Sequence, residues 1–191
     1  YWYIGSPMNN TPAGIFFNTQ EMVRLWNYNA GNNSWGVVVH STSDPTVTTS
    51  KKLVPGIGYL YRAGTNKTIT YTGTAATLNN NIVSNLLAPA SDANFVPVTS
   101  YNTVGYKYVA NPYPSHIDWP SVTRSGLNVS YWLRNSANTA YDAYNATTGQ
   151  SSSTSGQTTR YIAPMQGFWV YAFTANASLR IDNTDRVHST N

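Results

Sequence analysis

The strongest constraint in this sequence is a two-residue period. Short runs rich in Val, Ile, Tyr, Trp and Thr recur at 22–28 (MVRLWNY), 35–40 (WGVVVH), 56–62 (GIGYLYR), 67–73 (KTITYTG), 105–111 (GYKYVAN), 130–134 (SYWLR), 167–173 (GFWVYAF) and 177–181 (ASLRI). Gly, Pro, Asn and Asp bound them, and alternation over so short a length between turn formers specifies strands. No stretch carries a long amphipathic helical pattern. The expected fold is all-β: an antiparallel β-sandwich, jelly-roll-like, of about 10–14 short strands with at most one or two short helices. In GYLYR and GYKYV the alternation sets rings on one face and small or charged residues on the other, which predicts a sheet aromatic-rich on one side and wet on the other.

One short helix is expected at 118–125. Asp118 can cap its start, Pro120 sits where a missing N–H is harmless, and Gly126 can close it. The segments 40–52 and 145–159 are too polar to bury and read as exposed loops. No shift in composition marks a boundary, so residues 1–191 read as a single domain, a length at which about 70% of the unfolded surface can be buried without metal or disulfide.

Composition excludes several chemistries. There is no Cys, hence no disulfide scaffold, thiol catalysis or Cys-ligated metal. Glu21 is the only glutamate, and Asp and Glu together number 7 against 11 Lys and Arg, a net charge of +4 that reflects few acids more than many bases. Lys51 and Lys52 are the only adjacent basic pair, which argues against nucleic-acid binding. No apolar run reaches the length of a membrane-spanning helix, so membrane insertion is not expected. The opening YWYIGSPMNN lacks the pattern of a signal peptide, so an exported form would already have lost its signal.

Two motifs stand out. In YVANPYPSHIDW (108–119), Pro112 and Pro114 hold their predecessors extended, so the chain leaves a strand and turns sharply; Asn111, Tyr113 and Trp119 are expected to build a packed corner next to the Asp118 cap. In YIAPMQGFWV (161–170), Pro164 and Gly167 shape the approach to a strand on which Phe168 and Val170 face one way and Trp169 the other. Together with RVHS at 186–189, WYIGSP, PGIGYLYR and TYTGT, these motifs resemble a β-rich domain of large secreted and surface proteins of the Bacteroidetes, often found just ahead of the C-terminal sorting domain of the type IX secretion system. The resemblance covers essentially all of the chain. It implies an extracellular or cell-surface β-domain without catalytic activity, and a sorting domain either cleaved on export or belonging to a longer protein.

Read for chemistry, the residues offer little. His40, His116 and His188 are far apart, and His116 with Asp118 gives at most two metal ligands where a site needs three or four. Asp182, Asn183 and Asp185 lack the acid-rich, glycine-containing loop of a calcium site. No catalytic residue, metal ligand or cofactor is assigned. Sugars stack on flat rings, and Trp2, Trp26, Trp35, Trp132, Tyr141 and Tyr144 are the candidate platforms. Acceptor triplets for glycosylation occur at Asn9, Asn32, Asn66, Asn128, Asn145 and Asn176, six where chance at this composition gives about five. The leading expectation is a non-catalytic structural or adhesive module, a fibre or adhesin subunit that contacts copies of itself or neighbouring domains through strand edges or aromatic surfaces. A carbohydrate-binding module is the alternative, and a glycoside-active enzyme, disfavoured by the dispersed acids, is the third.

Overall fold

A computed structural model describes residues 1–17, 24–40, 51–64, 66, 68–76, 103–154 and 156–188. Among them lie fourteen strands: β1 (Trp2–Ile4), β2 (Arg24–Asn29), β3 (Ser34–His40), β4 (Tyr59–Arg62), β5 (Gly105–Ala110), β6 (His116–Asp118), β7 (Thr123–Ser125), β8 (Ser130–Arg134), β9 (Tyr141–Asn145), β10 (Gln150–Ser151), β11 (Tyr161–Ile162), β12 (Gly167–Ala172), β13 (Ser178–Arg180) and β14 (Arg186–Val187). The helical content of the described residues is two 3-10 turns, Ala13–Phe16 and Asn183–Asp185. The fold is all-β, antiparallel and sandwich-like. No helix among the described residues is long and apolar enough to cross a membrane.

A four-stranded sheet runs in the order β1-β4-β2-β3, and a five-stranded sheet in the order β10-β9-β8-β12-β5. Two small sheets, β11-β6-β14 and β13-β7, complete the set. β12 is an interior strand of the five-stranded sheet, between β8 and β5. All six of its residues pair with β5, from Gly167↔Ala110 to Ala172↔Gly105, and Trp169 pairs with Trp132 of β8.

Alternation along β12 decides the layering. Phe168, Val170 and Ala172 are fully buried and share one core with Ile117, Trp119, Ile162, Leu179 and Ile181 of the small-sheet segments. Phe168, Trp119 and Tyr131 meet edge to face at centroid distances of 5.6–5.8 Å. Burying each such ring contributes roughly 2–3 kcal/mol. Leu25, Val38, Tyr59 and Tyr61 of the four-stranded sheet belong to the same cluster.

The other face of β12 carries Trp169 and Tyr171, both half-buried. Across β5 and β8 they join Tyr106, which lies 5.0 Å from Tyr171 and 5.7 Å from Trp132. The expected wet side is not found at β5: Lys107 and Val109, facing one way, are fully buried, while on the aromatic side Tyr106 is exposed and Tyr108 fully buried. Rings share the core with aliphatic side chains, Tyr59, Tyr61 and Tyr131 lying there beside Trp119 and Phe168. Lys107 Nζ donates to Thr103 Oγ1 at 2.6 Å, and burial pushes its ammonium down to about 8.

The expected helix at 118–125 does not form. Asp118 ends β6, Ser121 N–H and Val122 N–H close a tight turn onto the carbonyls of Asp118 and Trp119, and Thr123–Ser125 extends into β7 against β13. Strand pairing supplies backbone partners that an eight-residue helix leaves half unmet, and Arg124 Nη1 donates to the Trp119 carbonyl. The strand expected at 67–73 is absent among its described residues, where the nearby contacts are the bridge Met8↔Ala75 and bonds from Asn9 and Ala76 to the flanking chain. The loop expected at 145–159 is partly ordered as a hairpin, with β10 paired to β9. Most of the loop expected at 40–52, residues 41–50, lies outside the described residues.

Candidate functional site

The first strand lies beside the approach to β12. Ile4 forms an isolated bridge with Gln166, Gly5 N–H donates to the Met165 carbonyl at 2.7 Å, and Gln166 Nε2 donates to Tyr3 O at 3.2 Å. Between this junction and the β8–β9 turn opens a cleft of about 900 Å³. A second hollow of about 250 Å³ adjoins it, sharing Leu133, Gln157 and Gln166 and carrying His116 and Tyr161.

Rings form one wall. Trp2 leans on Tyr61 at 5.6 Å, Tyr61 on Phe16 at 5.0 Å, and Phe16 on Tyr71 at 6.2 Å. Burial raises the Tyr71 hydroxyl above its ordinary range, and Tyr71 donates to Gly5 O at 3.2 Å. Burial also raises Tyr3.

The opposite wall is polar and comes from the turn after β8. Asn135 Oδ1 accepts from Thr139 N–H and Ala140 N–H, and Asn138, at φ 57°, takes the left-handed conformation that asparagine tolerates. Arg134 Nε donates to Asn138 Oδ1 at 3.0 Å and Nη2 to Asn138 O at 2.6 Å, while the guanidinium lies 4.8 Å from the centre of the Tyr141 ring. Gln157 is held in place by accepting from Ser136 N–H at 2.8 Å.

The floor is shaped by Pro164–Gln166. Met165 sits at φ 55°, and every other non-glycine residue with positive φ among the described residues is an asparagine. A methionine there costs about 1–2 kcal/mol relative to ordinary backbone. Such strain is a feature of functional surfaces.

No Asp or Glu lines either hollow among the described residues. Three of the four described acids are engaged elsewhere. Asp118 forms a forked ion pair with Arg160 at 2.9 and 2.6 Å, and Asp142 lies on β9 opposite Leu133. Asp182 and Asp185 make a capping box: Asp182 Oδ1 accepts from Thr184 N–H, and Asp185 Oδ2 accepts from Asp182 N–H. Its bonds to Thr184 hold Asp182 below the usual carboxylate range, while burial raises Asp185. No group of three His, Cys, Asp or Glu side chains suited to a metal occurs among the described residues.

Comparison with family models, with curated proteins and with solved structures returned no match. The site therefore rests on its geometry.

The six platform candidates do not converge. Trp2 lies in the cleft and is 46% exposed; Tyr141, equally exposed, adjoins it through Arg134. Trp132 stands on the outer face of the five-stranded sheet, Trp26 is half-buried against Tyr1, and Trp35 packs with Tyr28, Tyr108 and Trp169. Tyr144 is buried beside Tyr131 and presents no ring to solvent. Sequence reasoning missed Arg134, Asn138 and Met165; the one signal was a non-glycine residue after Pro164, where a tight turn favours glycine.

The corner motif is closely bonded. Asn111, fully buried, donates through Nδ2 to Ser115 O, Ile162 O and Ala163 O at 2.8–3.2 Å, and its Oδ1 accepts from Tyr113 N–H. Pro112 is buried and Pro114 exposed. Trp119 Nε1 donates to Val129 O at 2.8 Å. Of the acceptor triplets, Asn32, Asn66 and Asn176 are exposed, while Asn9, Asn128 and Asn145 are half-buried; Asn128 and Asn145 use their side chains to fold the local turn.

Proposed function

We propose that this chain is a non-catalytic adhesive module of an exported surface protein that holds polysaccharide in the cleft between β1 and the β8–β9 turn. The observation that carries this reading is the lining: rings from Tyr1, Trp2 and Tyr71, amides from Asn135 and Gln166, and no carboxylate among the described residues. Rings stack on the apolar faces of sugars and amides meet their hydroxyls, which is the chemistry of a binding groove. Glycoside cleavage needs two carboxylates about 5–9 Å apart across the substrate, and the lining offers none. The resemblance of YVANPYPSHIDW, YIAPMQGFWV and RVHS to domains of type IX-secreted surface proteins of the Bacteroidetes supports export and a place outside the cell.

Affinity electrophoresis or calorimetry of the full chain against a panel of polysaccharides tests this. Saturable binding is expected, weakened at least tenfold by Trp2→Ala and unchanged by Trp26→Ala. Failure to bind any polymer, or equal loss in the two variants, overturns it.

Self-association is a second reading, favoured by the exposed apolar group Val104, Tyr106 and Phe173 at one end of the β5–β12 pair. Light scattering across a wide concentration range checks it, with Tyr106→Ser and Phe173→Ser expected to lower any association.

A further inference from the structure

We infer that the cleft selects acidic polysaccharide and that Arg134 is the group that reads its carboxylate or sulfate. This rests on the polysaccharide reading above and narrows it to one charge class. Arg134 is the only Lys, Arg, Asp or Glu side chain among the described residues lining the two hollows. A cation in a groove otherwise lined by rings, amides and aliphatic side chains sets the sign of the field there, with no acid among the described lining residues to cancel it.

Arg134 carries no acid partner among the described residues. The two ion pairs between described residues are Arg160–Asp118 and Arg180–Asp182. Arg134 is nevertheless fixed in direction by Asn138 Oδ1, Asn138 O and the face of Tyr141. These contacts use Nε and Nη2, and Nη1 has no hydrogen-bond acceptor among the described residues. A pre-oriented guanidinium with donor capacity left suits a planar carboxylate or a sulfate ester, and its ordering cost is met by the fold before the ligand arrives. The turn that aims it is itself bonded, with Asn135 holding Thr139 and Ala140 and Asn138 N–H donating to Asn135 O. A guanidinium needed only to close that turn would leave polymer charge without effect on binding, which separates the two roles.

The test measures binding of the full chain to polygalacturonate, to its carboxyl-reduced neutral counterpart, to dextran sulfate and to dextran, at low and high salt. Wild type is expected to bind at least one acidic polymer tenfold or more tightly than its neutral partner, with the preference shrinking at high salt; the acidic polymer preferred assigns carboxylate or sulfate. Arg134→Gln is expected to erase the preference while neutral binding persists, Arg134→Lys to keep part of it, and Arg180→Gln, an equal change of charge outside the cleft, to keep all of it. Should Arg134→Gln not fold, Asn138→Gly keeps the left-handed backbone but removes one hold on the guanidinium, and a several-fold loss of preference is expected. Neutral polymers bound as tightly as acidic ones, or a preference that survives both Arg134→Gln and Asn138→Gly, overturn the inference and leave the polysaccharide reading standing. Binding to none of the four, nor to any other polysaccharide, removes both.

Discussion

The ring of Tyr108 lies across two glycines: a Cβ on Gly167 would stand 2.8 Å from Tyr108 Cζ, and one on Gly58 2.6 Å from Cδ1. Tyr108 is fully buried and touches Tyr3, Trp35 and Trp169, so one side chain ties β1, β3 and β12 together. Gly167→Ala should therefore destabilise the fold by about 1–3 kcal/mol, read as a lower urea midpoint. Combining it with Tyr108→Leu should cost less than the two single losses added together. Strict additivity would show that the methyl is accommodated elsewhere.

Asn111 satisfies three carbonyls and one N–H inside the corner that precedes β6. Asn111→Ala leaves these groups buried without partners, and a loss of about 2–4 kcal/mol is expected. Chemical denaturation measures it, and a loss below about 1 kcal/mol would show that water replaces the amide there.

Stability should rise with pH above about 8. The folded chain releases the Lys107 proton near 8, whereas an unfolded lysine holds its proton to about 10.4. Between those values the unfolded state binds more protons, so the free energy of unfolding grows. Tyr59, Tyr71 and Tyr131 act in the opposite sense above about 10, because burial raises their hydroxyls and the folded state keeps protons that the unfolded state loses. Thermal melts from pH 7 to 11 should show a maximum close to pH 10. Lys107→Met should abolish the rising limb; a limb that persists in that variant assigns the effect to another group.

Met165 separates binding from stability. Met165→Gly relieves the left-handed backbone but adds freedom to the unfolded chain, so stability should change by less than about 1 kcal/mol. The same variant removes a side chain from the cleft and should lower polysaccharide affinity several-fold. Met165→Val, β-branched at φ 55°, should unfold at lower temperature than either.

Much of the architecture is legible in the chain because period-two patterning is a local signal. SYWLR is β8 residue for residue, and GFWVYA is β12. What escaped depends on partners distant in sequence. Thr123–Ser125 becomes a strand because Ser178–Arg180 lies alongside, and YDAYN becomes β9 because β8 presents an edge to it. The same holds at the site. Trp2 is visible as a ring in the sequence, but Arg134 becomes a cleft residue only when the connection 135–140 folds back to hold it and Gln166 brings the first strand across. Tyr144 shows the converse, a ring beside a polar loop that pairing with Tyr131 turns inward.

The bridge between Ile4 and Gln166 joins segments separated by most of the chain. Closing so long a loop is slow, and the reward comes only after the last third has been made. β1 finds its first partner in β4, so the four-stranded sheet can assemble early, whereas its other side stays uncovered until the PMQG turn reaches Tyr3, Ile4 and Gly5; the cleft is therefore a late product of folding, finished only when that seam closes.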